Sequence, residues 1–219
     1  PAYDRQKKRG AQFGCVNGWE RPNYFAEIGF KDKKSRSFRR GKWWKYAVKE
    51  AQSIRTNVGL IDATAFSKHL VYGTGATEFL DWFTCNKLPR IGRISLSYAL
   101  TTRGTTRTEY TIVRISQNEY YLVSAGAWQS YDSDFLKQSI EECKNRFSEV
   151  HCSDITSMWG VFAIAGPNSR NILKSVITDP EPENALSNAS FPWLSVKDIE
   201  LGMCPIRALR VAYTGELGW

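Results

Sequence analysis

Two carboxylates stand apart from the solvated acidic residues of this chain. Glu109 lies in Thr105-Thr106-Arg107-Thr108-Glu109-Tyr110-Thr111-Ile112-Val113, a strand-like run where propensity disfavours a carboxylate. Strand alternation puts Glu109 and Thr111 on one face, Tyr110 and Ile112 on the other. Glu216 lies in Tyr213-Thr214-Gly215-Glu216-Leu217-Gly218-Trp219, where the flanking glycines let a backbone or a flat ring come close. An ionised carboxylate accepts two hydrogen bonds at once, which suits a flat heterocycle with adjacent ring N–H groups. Charged residues that stop a sheet edge from pairing with another chain account for the same pattern, and both explanations stand at this level.

Other chemistry is poorly served. His69 and His151 are the only histidines, neither lies in a metal-binding or triad spacing, and satisfied or surface histidines are expected. Gly73-Thr74-Gly75-Ala76-Thr77-Glu78 follows a strand and opens a helix, as a dinucleotide fingerprint would. Its third glycine is replaced by Glu78, whose charge would repel a pyrophosphate at the helix N-terminus, so a plain strand-to-helix turn is the better reading. No serine lies in a G-x-S-x-G pattern, and Cys15, Cys85, Cys143, Cys152 and Cys204 contain no C-x-x-C pair. No metal site is expected.

The elements that must position these residues can be read from periodicity. Ala47, Val48, Ala51, Ile54 and Val58 recur on one helical face between Trp44 and Val58, with Gly59 as a stop. His69 to Tyr72 reads as a strand, residues 75–84 as a helix carrying Phe79, Leu80 and Phe83. Tyr110 to Ile115 and Tyr120 to Ser124 read as a hairpin around the loop Ser116-Gln117-Asn118-Glu119. Helical spacing returns from Phe135 to Phe147. A faint repeat joins Val71-Tyr72-Gly73 to Ile164-Ala165-Gly166: each is followed by a helix, with Phe79-Leu80 matching Ile172-Leu173, Phe83 matching Val176, and Pro167 placed at a helix start. Strands mixed with helices, without regular β-α-β alternation, predict an α+β fold.

At 219 residues the chain buries a core without staples. Its net charge of +8 is localised: residues 1–45 hold 13 Lys and Arg against 4 Asp and Glu, leaving 17 against 18 for the rest. Lys31, Lys33, Lys34, Arg36, Arg39, Arg40 and Lys42, interleaved with Phe38, Trp43 and Trp44, form a basic run without a nucleic-acid recognition motif. Residues 1–45 are therefore expected to be a basic connector lying against a partner domain, and residues 46–219 a folded domain. No stretch approaches the roughly 18 to 20 apolar residues of a membrane helix. The spread, odd cysteines suit a reducing compartment. Neither nucleic acid nor membrane is expected as a partner, and oligomeric state is left open. The opening Pro-Ala-Tyr-Asp and the closing Gly-Glu-Leu-Gly-Trp read as a fragment, truncated at the C-terminus.

Several passages together resemble one family. They are Arg9-Gly10-Ala11 with Gly18-Trp19-Glu20-Arg21-Pro22, Val58-Gly59-Leu60-Ile61-Asp62, Phe66-Ser67-Lys68, Asn86-Lys87-Leu88-Pro89 with Gly92-Arg93-Ile94, Ala165-Gly166-Pro167 with Ser169-Arg170, and Arg207-Ala208-Leu209-Arg210-Val211 running into Tyr213-Thr214-Gly215-Glu216-Leu217-Gly218-Trp219. In that order they resemble the folate-binding part of the dimethylglycine and sarcosine dehydrogenases, itself similar to the aminomethyltransferase (T-protein) of the glycine cleavage system. The resemblance implies an aminomethyltransferase-like fold of antiparallel sheets with flanking helices. It implies tetrahydrofolate as ligand, taking up a one-carbon unit as methylenetetrahydrofolate, and FAD held only in a separate N-terminal domain that oxidises the methylated amine. By the same resemblance Glu216 binds the pterin, Glu109 stands beside the reacting folate nitrogen, and Tyr121 and Arg210 contact the ligand. A cytoplasmic location, or the mitochondrial matrix of a eukaryote, goes with it.

The sequence departs from the family pattern in three places. Gly104-Thr105 stands for a Gly-Gly pair, Glu109 for an aspartate, and Leu96 for a tyrosine two residues before Tyr98. A longer acidic side chain moves the carboxylate by about one bond, and displacements of that order cost ~100-fold in rate. A third, β-rich subdomain beyond Trp219 is implied as well. A regulatory or structural module that keeps the fold without the chemistry, as in a relative that regulates pyruvate dehydrogenase phosphatase, is the alternative function.

Overall fold

The computed structural model describes residues 2–30 and 38–219. Lys31, Lys33, Lys34 and Arg36 of the basic run lie outside the described residues. Helix α1 (Ala2–Lys8) leads into strands β1 (Ala11–Val16) and β2 (Trp19–Phe25), then α2 (Trp44–Thr56), β3 (Gly59–Asp62), β4 (Ser67–Tyr72) and α3 (Ala76–Phe83). Strands β5 (Ile94–Leu100), β6 (Thr106–Ser116) and β7 (Glu119–Ser124) follow, then α4 (Gln129–Glu142), β8 (His151–Asp154), β9 (Phe162–Ala165), α5 (Ser169–Lys174), α6 (Pro182–Ala185), β10 (Ser195–Leu201) and β11 (Cys204–Arg210).

A five-stranded sheet in the order β5-β6-β7-β4-β8 forms the centre, and every pairing in it is antiparallel. Alternation gives the sheet two different faces. On one, Val71, Ala99, Tyr110, Ile112, Tyr120 and Leu122 bury against Ala76, Phe79, Leu80 and Phe83 of α3 and Leu136 of α4. Each large side chain removed from water in this way contributes about 1.5 to 3 kcal/mol before entropy is counted. On the other face Ile94, Val113 and Tyr121 pack with Ile155 and with Leu194, Val196, Leu209 and Val211 at the β10–β11 hairpin. A third cluster of Leu173, Leu186, Phe191, Ala208 and Trp219 joins the chain's last residue to the hairpin. The fold is α+β, as the sequence predicts.

The repeat is visible in three dimensions. Gly73 and Gly166 end β4 and β9 at φ +121° and +124°, a region open to glycine alone among common residues, and α3 or α5 follows each. A Cβ would lie 2.3 Å from the Glu149 carbonyl oxygen at Gly73 and 2.4 Å from that of Asn57 at Gly166. The two helices differ in burial. Leu80 and Leu173 are both buried, whereas Ile172 and Val176 are exposed where Phe79 and Phe83 are not.

Several boundaries differ from those expected: α2 ends at Thr56, short of Val58, and α4 at Glu142, short of Phe147. The β6–β7 loop shrinks to Gln117-Asn118, because Ser116 and Glu119 pair across the strands. Helix α4 begins at Gln129 rather than Phe135, since Asp132 and Ser133 are hidden polar residues that hydropathy reads as solvent-facing. Asp132 accepts the hydroxyls of Thr108 at 2.8 Å and Ser124 at 2.5 Å, which satisfies it in the core. The N-terminal segment holds α1 and the β1–β2 hairpin. Tyr24 stacks on Tyr46 of α2 at 5.8 Å, and the Phe25 N–H donates to Glu50 at 2.7 Å.

Candidate functional site

The face of the sheet that meets the β10–β11 hairpin is greasy at one end and polar at the other. Along it the facing cross-strand pairs are Ile94 and Val113, Leu96 and Thr111, then Tyr98 and Glu109. The first pair is buried, and Leu96 and Glu109 are exposed. Glu109 and Thr111 therefore share a face opposite Tyr110 and Ile112, as alternation predicts, and Glu109 sits at the open end. Its direct cross-strand neighbour is Tyr98, and the Glu109 carboxylate beside it holds the phenol above the usual tyrosine range.

Glu216 is set by the chain's final turn. Gly215, at φ +93°, has nothing within 4 Å of where a Cβ would be, while a Cβ on Gly218 would meet the Ile164 carbonyl oxygen at 2.9 Å. Gly218 thus packs against β9 and Gly215 leaves open space beside the carboxylate. The Glu216 side chain is 17% exposed and lies 3.9 Å from Arg55 of α2. The Thr214 hydroxyl, then the backbone N–H of Glu216 itself, then the Arg55 charge hold the carboxyl below the usual glutamate range. The two acidic residues have different neighbours: Tyr98 across the strands for Glu109, Thr214 and Arg55 for Glu216.

The remaining expected site residues are placed less openly. Tyr121 lies opposite Val113 on β7, four residues down the face from Glu109, which is about 13 Å of strand. It is 8% exposed, and burial pushes its phenol up to about 12, opposed by the Arg207 charge. Arg210 is equally buried, donates to the Phe191 carbonyl and to Asn188 (2.7 Å), and lies 5.5 Å from the centre of the Trp219 ring. Burial, then the nearby Arg170 charge, lowers its pKa. The structure thus puts Arg210 beneath the terminal segment and Tyr121 at the floor of the face, neither beside Glu109.

Two polar residues escaped sequence reasoning. Tyr98 gives no local signal, because its partner lies on another strand. Lys68, fully buried, donates to the carbonyls of Thr64 and Phe66, both at 2.7 Å, and closes the loop after β3. His69 is buried too, 2.7 Å from the Ser133 hydroxyl, while His151 is a surface partner of Glu149. Gly73 and Gly75 pack against the backbone of residues 148–149, which fills the space a pyrophosphate would need. No group of His, Cys, Asp and Glu suited to a metal ion occurs among the described residues, and no described helix is long and apolar enough to cross a membrane. Two open surface hollows lie elsewhere, one lined by Phe30, Arg40, Lys42 and Trp44, the other by Arg9, Tyr46, Lys49 and Glu50.

Comparison with known proteins agrees with this architecture. A family model described as the GCVT N-terminal domain matches residues 2–219. Mitochondrial dimethylglycine dehydrogenase of Mus musculus is 32% identical over 97% of this chain and 24% of its own length. The sarcosine oxidase subunit alpha of Rhizobium meliloti (strain 1021) is 27% identical over 100% of this chain and 21% of its own. The chain therefore spans about a quarter of the length of these curated relatives. Among solved structures, the glycine cleavage system aminomethyltransferase T from Bartonella henselae superimposes with a TM-score of 0.74 at 21% identity, covering 100% of this chain and 51% of that one.

Proposed function

Since the chain belongs to the GCVT N-terminal domain family, we propose that it is a tetrahydrofolate-binding module of a dimethylglycine or sarcosine dehydrogenase-type protein, accepting a one-carbon unit as methylenetetrahydrofolate. When bound, tetrahydrofolate supplies an amine nitrogen able to take up carbon from an iminium. The ionised Glu216 accepts two N–H bonds from the pterin, and the open space at Gly215 admits the ring edge. Glu109, at the polar end of the sheet face, takes the proton from the reacting nitrogen and returns it to the departing amine. Tyr121 forms the apolar floor, and Arg210 supports the ligand-facing turn from below. Oxidation of the methylated amine needs FAD, and the packed Gly73–Gly75 turn does not fit that group, so this step is assigned to another part of a longer protein.

The observation that supports this reading most is the Glu216 carboxylate itself, only 17% exposed and set beside the open space at Gly215. A cytoplasmic or mitochondrial-matrix location fits the reading, the latter supported by the mitochondrial dimethylglycine dehydrogenases among the relatives.

Calorimetric titration of the chain with tetrahydrofolate tests it. Saturable binding of one equivalent is expected, weakened ~10- to 100-fold in Glu216→Gln, the loss from removing a charge-assisted hydrogen bond. No heat at millimolar ligand would leave a member of the family that keeps the fold without the chemistry.

A further inference from the structure

A guanidinium stays charged at any working pH, so one that leaves water needs acceptors, and a carboxylate matches its planar fork of donors best. Arg170, in the first turn of α5, and Arg210, at the end of β11, meet around Trp219: their guanidiniums lie 5.7 and 5.5 Å from the centre of its ring. Neither has an anion. Among the described residues no carboxylate lies within 4 Å of either, and both donate to one neutral atom, the side-chain oxygen of Asn188, at 2.6 and 2.7 Å. Two N–H groups of the same cluster, Arg170 Nε and Trp219 Nε1, are buried without an acceptor. A third cation stands close by. Lys197 shares a face of the β10–β11 hairpin with Arg210, and its ammonium lies 5.5 Å from the centre of the Phe191 ring, which meets the Trp219 ring at 6.2 Å. It too is in no ion pair among the described residues.

We propose that Arg170 and Arg210, with Asn188 between them, form a binding site for a carboxylate. Two guanidiniums that share one acceptor repel each other, and partial burial weakens the screening that water would provide. A carboxylate between them turns that repulsion into attraction. Its two oxygens take several N–H bonds at once, so a single group bridges both forks. Asn188 marks the place, because its amide oxygen already accepts from both cations without carrying a charge. The site has an inside and an outside. Arg210 and Trp219, each 8% exposed, make the inner wall, while Arg170 is half-buried and Asn188 exposed, so an anion reaches the pair from the surface. The buried wall is what separates this cluster from ordinary surface arginines, whose ion pairs contribute little. The carboxylate comes either from a free ligand or from an acidic side chain elsewhere in a longer protein. The site does not rest on the folate reading, since neither Glu109 nor Glu216 bonds to any of its residues.

Thermal unfolding of the chain in sodium acetate, set against sodium chloride at equal ionic strength, reads the site. At about 0.1 M acetate the parent should melt roughly 2 to 4 °C higher than in chloride, the gain expected of millimolar binding to the folded state. Arg170→Gln, at the outer edge of the cluster, should lose that excess while remaining folded. Asn188→Asp supplies a carboxylate of nearly the same shape from within: it should melt higher than the parent in chloride and no longer respond to acetate. Nitrogen-15 NMR gives a reading independent of stability, since the indole N–H signal of Trp219 should move along a saturable curve with acetate in the parent and stay still in Asn188→Asp. Equal melting of the parent in the two salts, or an acetate excess of the same size in all three proteins, would overturn the proposal. A longer protein containing this chain separates the two sources. An acetate response retained there identifies a free carboxylate as the ligand, whereas a lost response, with Arg170→Gln now destabilising, identifies a side chain of the protein itself.

Discussion

The Glu216 carboxylate and the Arg55 guanidinium lie 3.9 Å apart, joining the final turn of the chain to the last turn of α2. Arg55 is 75% exposed at its side chain, so water screens the pair and its contribution to folding is small. Arg55→Gln should change the unfolding free energy by no more than about 0.5 kcal/mol in urea titration. Glu216→Gln should leave stability equally untouched while weakening tetrahydrofolate. A loss of stability in Glu216→Gln matching the loss of affinity would make the residue structural.

The glycines of the repeat carry a sharper cost. Gly73→Ala and Gly166→Ala each place a Cβ against a backbone carbonyl in a left-handed conformation, where no side-chain rotation relieves the clash. Each is expected to lose about 2 to 4 kcal/mol of stability by chemical denaturation. Gly215→Ala meets strain but no neighbour, so it should cost less in folding than either and more in ligand affinity.

Arg210 offers a way to tell support from contact. Its guanidinium is bonded to the Phe191 carbonyl and to Asn188. Arg210→Met would strand both acceptors and lower stability by roughly 2 to 4 kcal/mol in thermal or urea unfolding. Affinity of the still-folded protein should fall less than in Glu216→Gln; the reverse order would return Arg210 to direct ligand contact.

Acid sensitivity should begin with His69. Burial lowers its pKa from 6.5, opposed by the Asp154 and Asp132 charges, so the folded state binds its proton less readily than the unfolded state. Its contribution is complete above about pH 6.5, declines as pH falls from there toward the lower folded value, and then levels off. The depressed carboxyls of Asp62 and Asp154 add their own loss at lower pH. Urea titrations of the parent should show stability falling as pH drops below 6.5, and His69→Gln should flatten that part of the curve. An unchanged slope in the variant would assign the sensitivity elsewhere.

Where one periodicity ran uninterrupted, the elements were legible in the sequence: the apolar stripe of α2, the alternation of β6 and β7 that puts Glu109 opposite Tyr110, and the paired glycine turns. Elsewhere tertiary partners decided. Polar Asp132 and Ser133 are buried in α4 only because Thr108, Ser124 and His69 meet them. The β1–β2 hairpin lies in a segment without a regular period and leans on α2 through Tyr46 and Glu50. Of the site, the two carboxylates could be picked out by type and neighbours, but Tyr98 could not, because its meaning depends on register. The alternation Ile94-Ser95-Leu96-Ser97-Tyr98 was the one available signal, and it marks a strand without naming the residue opposite.

The central claim is that Glu109 and Glu216 serve one flat ligand. A crystal structure of the chain soaked with tetrahydrofolate tests it most directly. The account predicts the pterin edge on the Glu216 carboxylate with the ring system reaching toward Glu109 and Tyr98. Electron density for the ring in the basic, aromatic hollow at Arg40 and Trp44 instead, with Glu216 still bound only to Thr214 and Arg55, would contradict it.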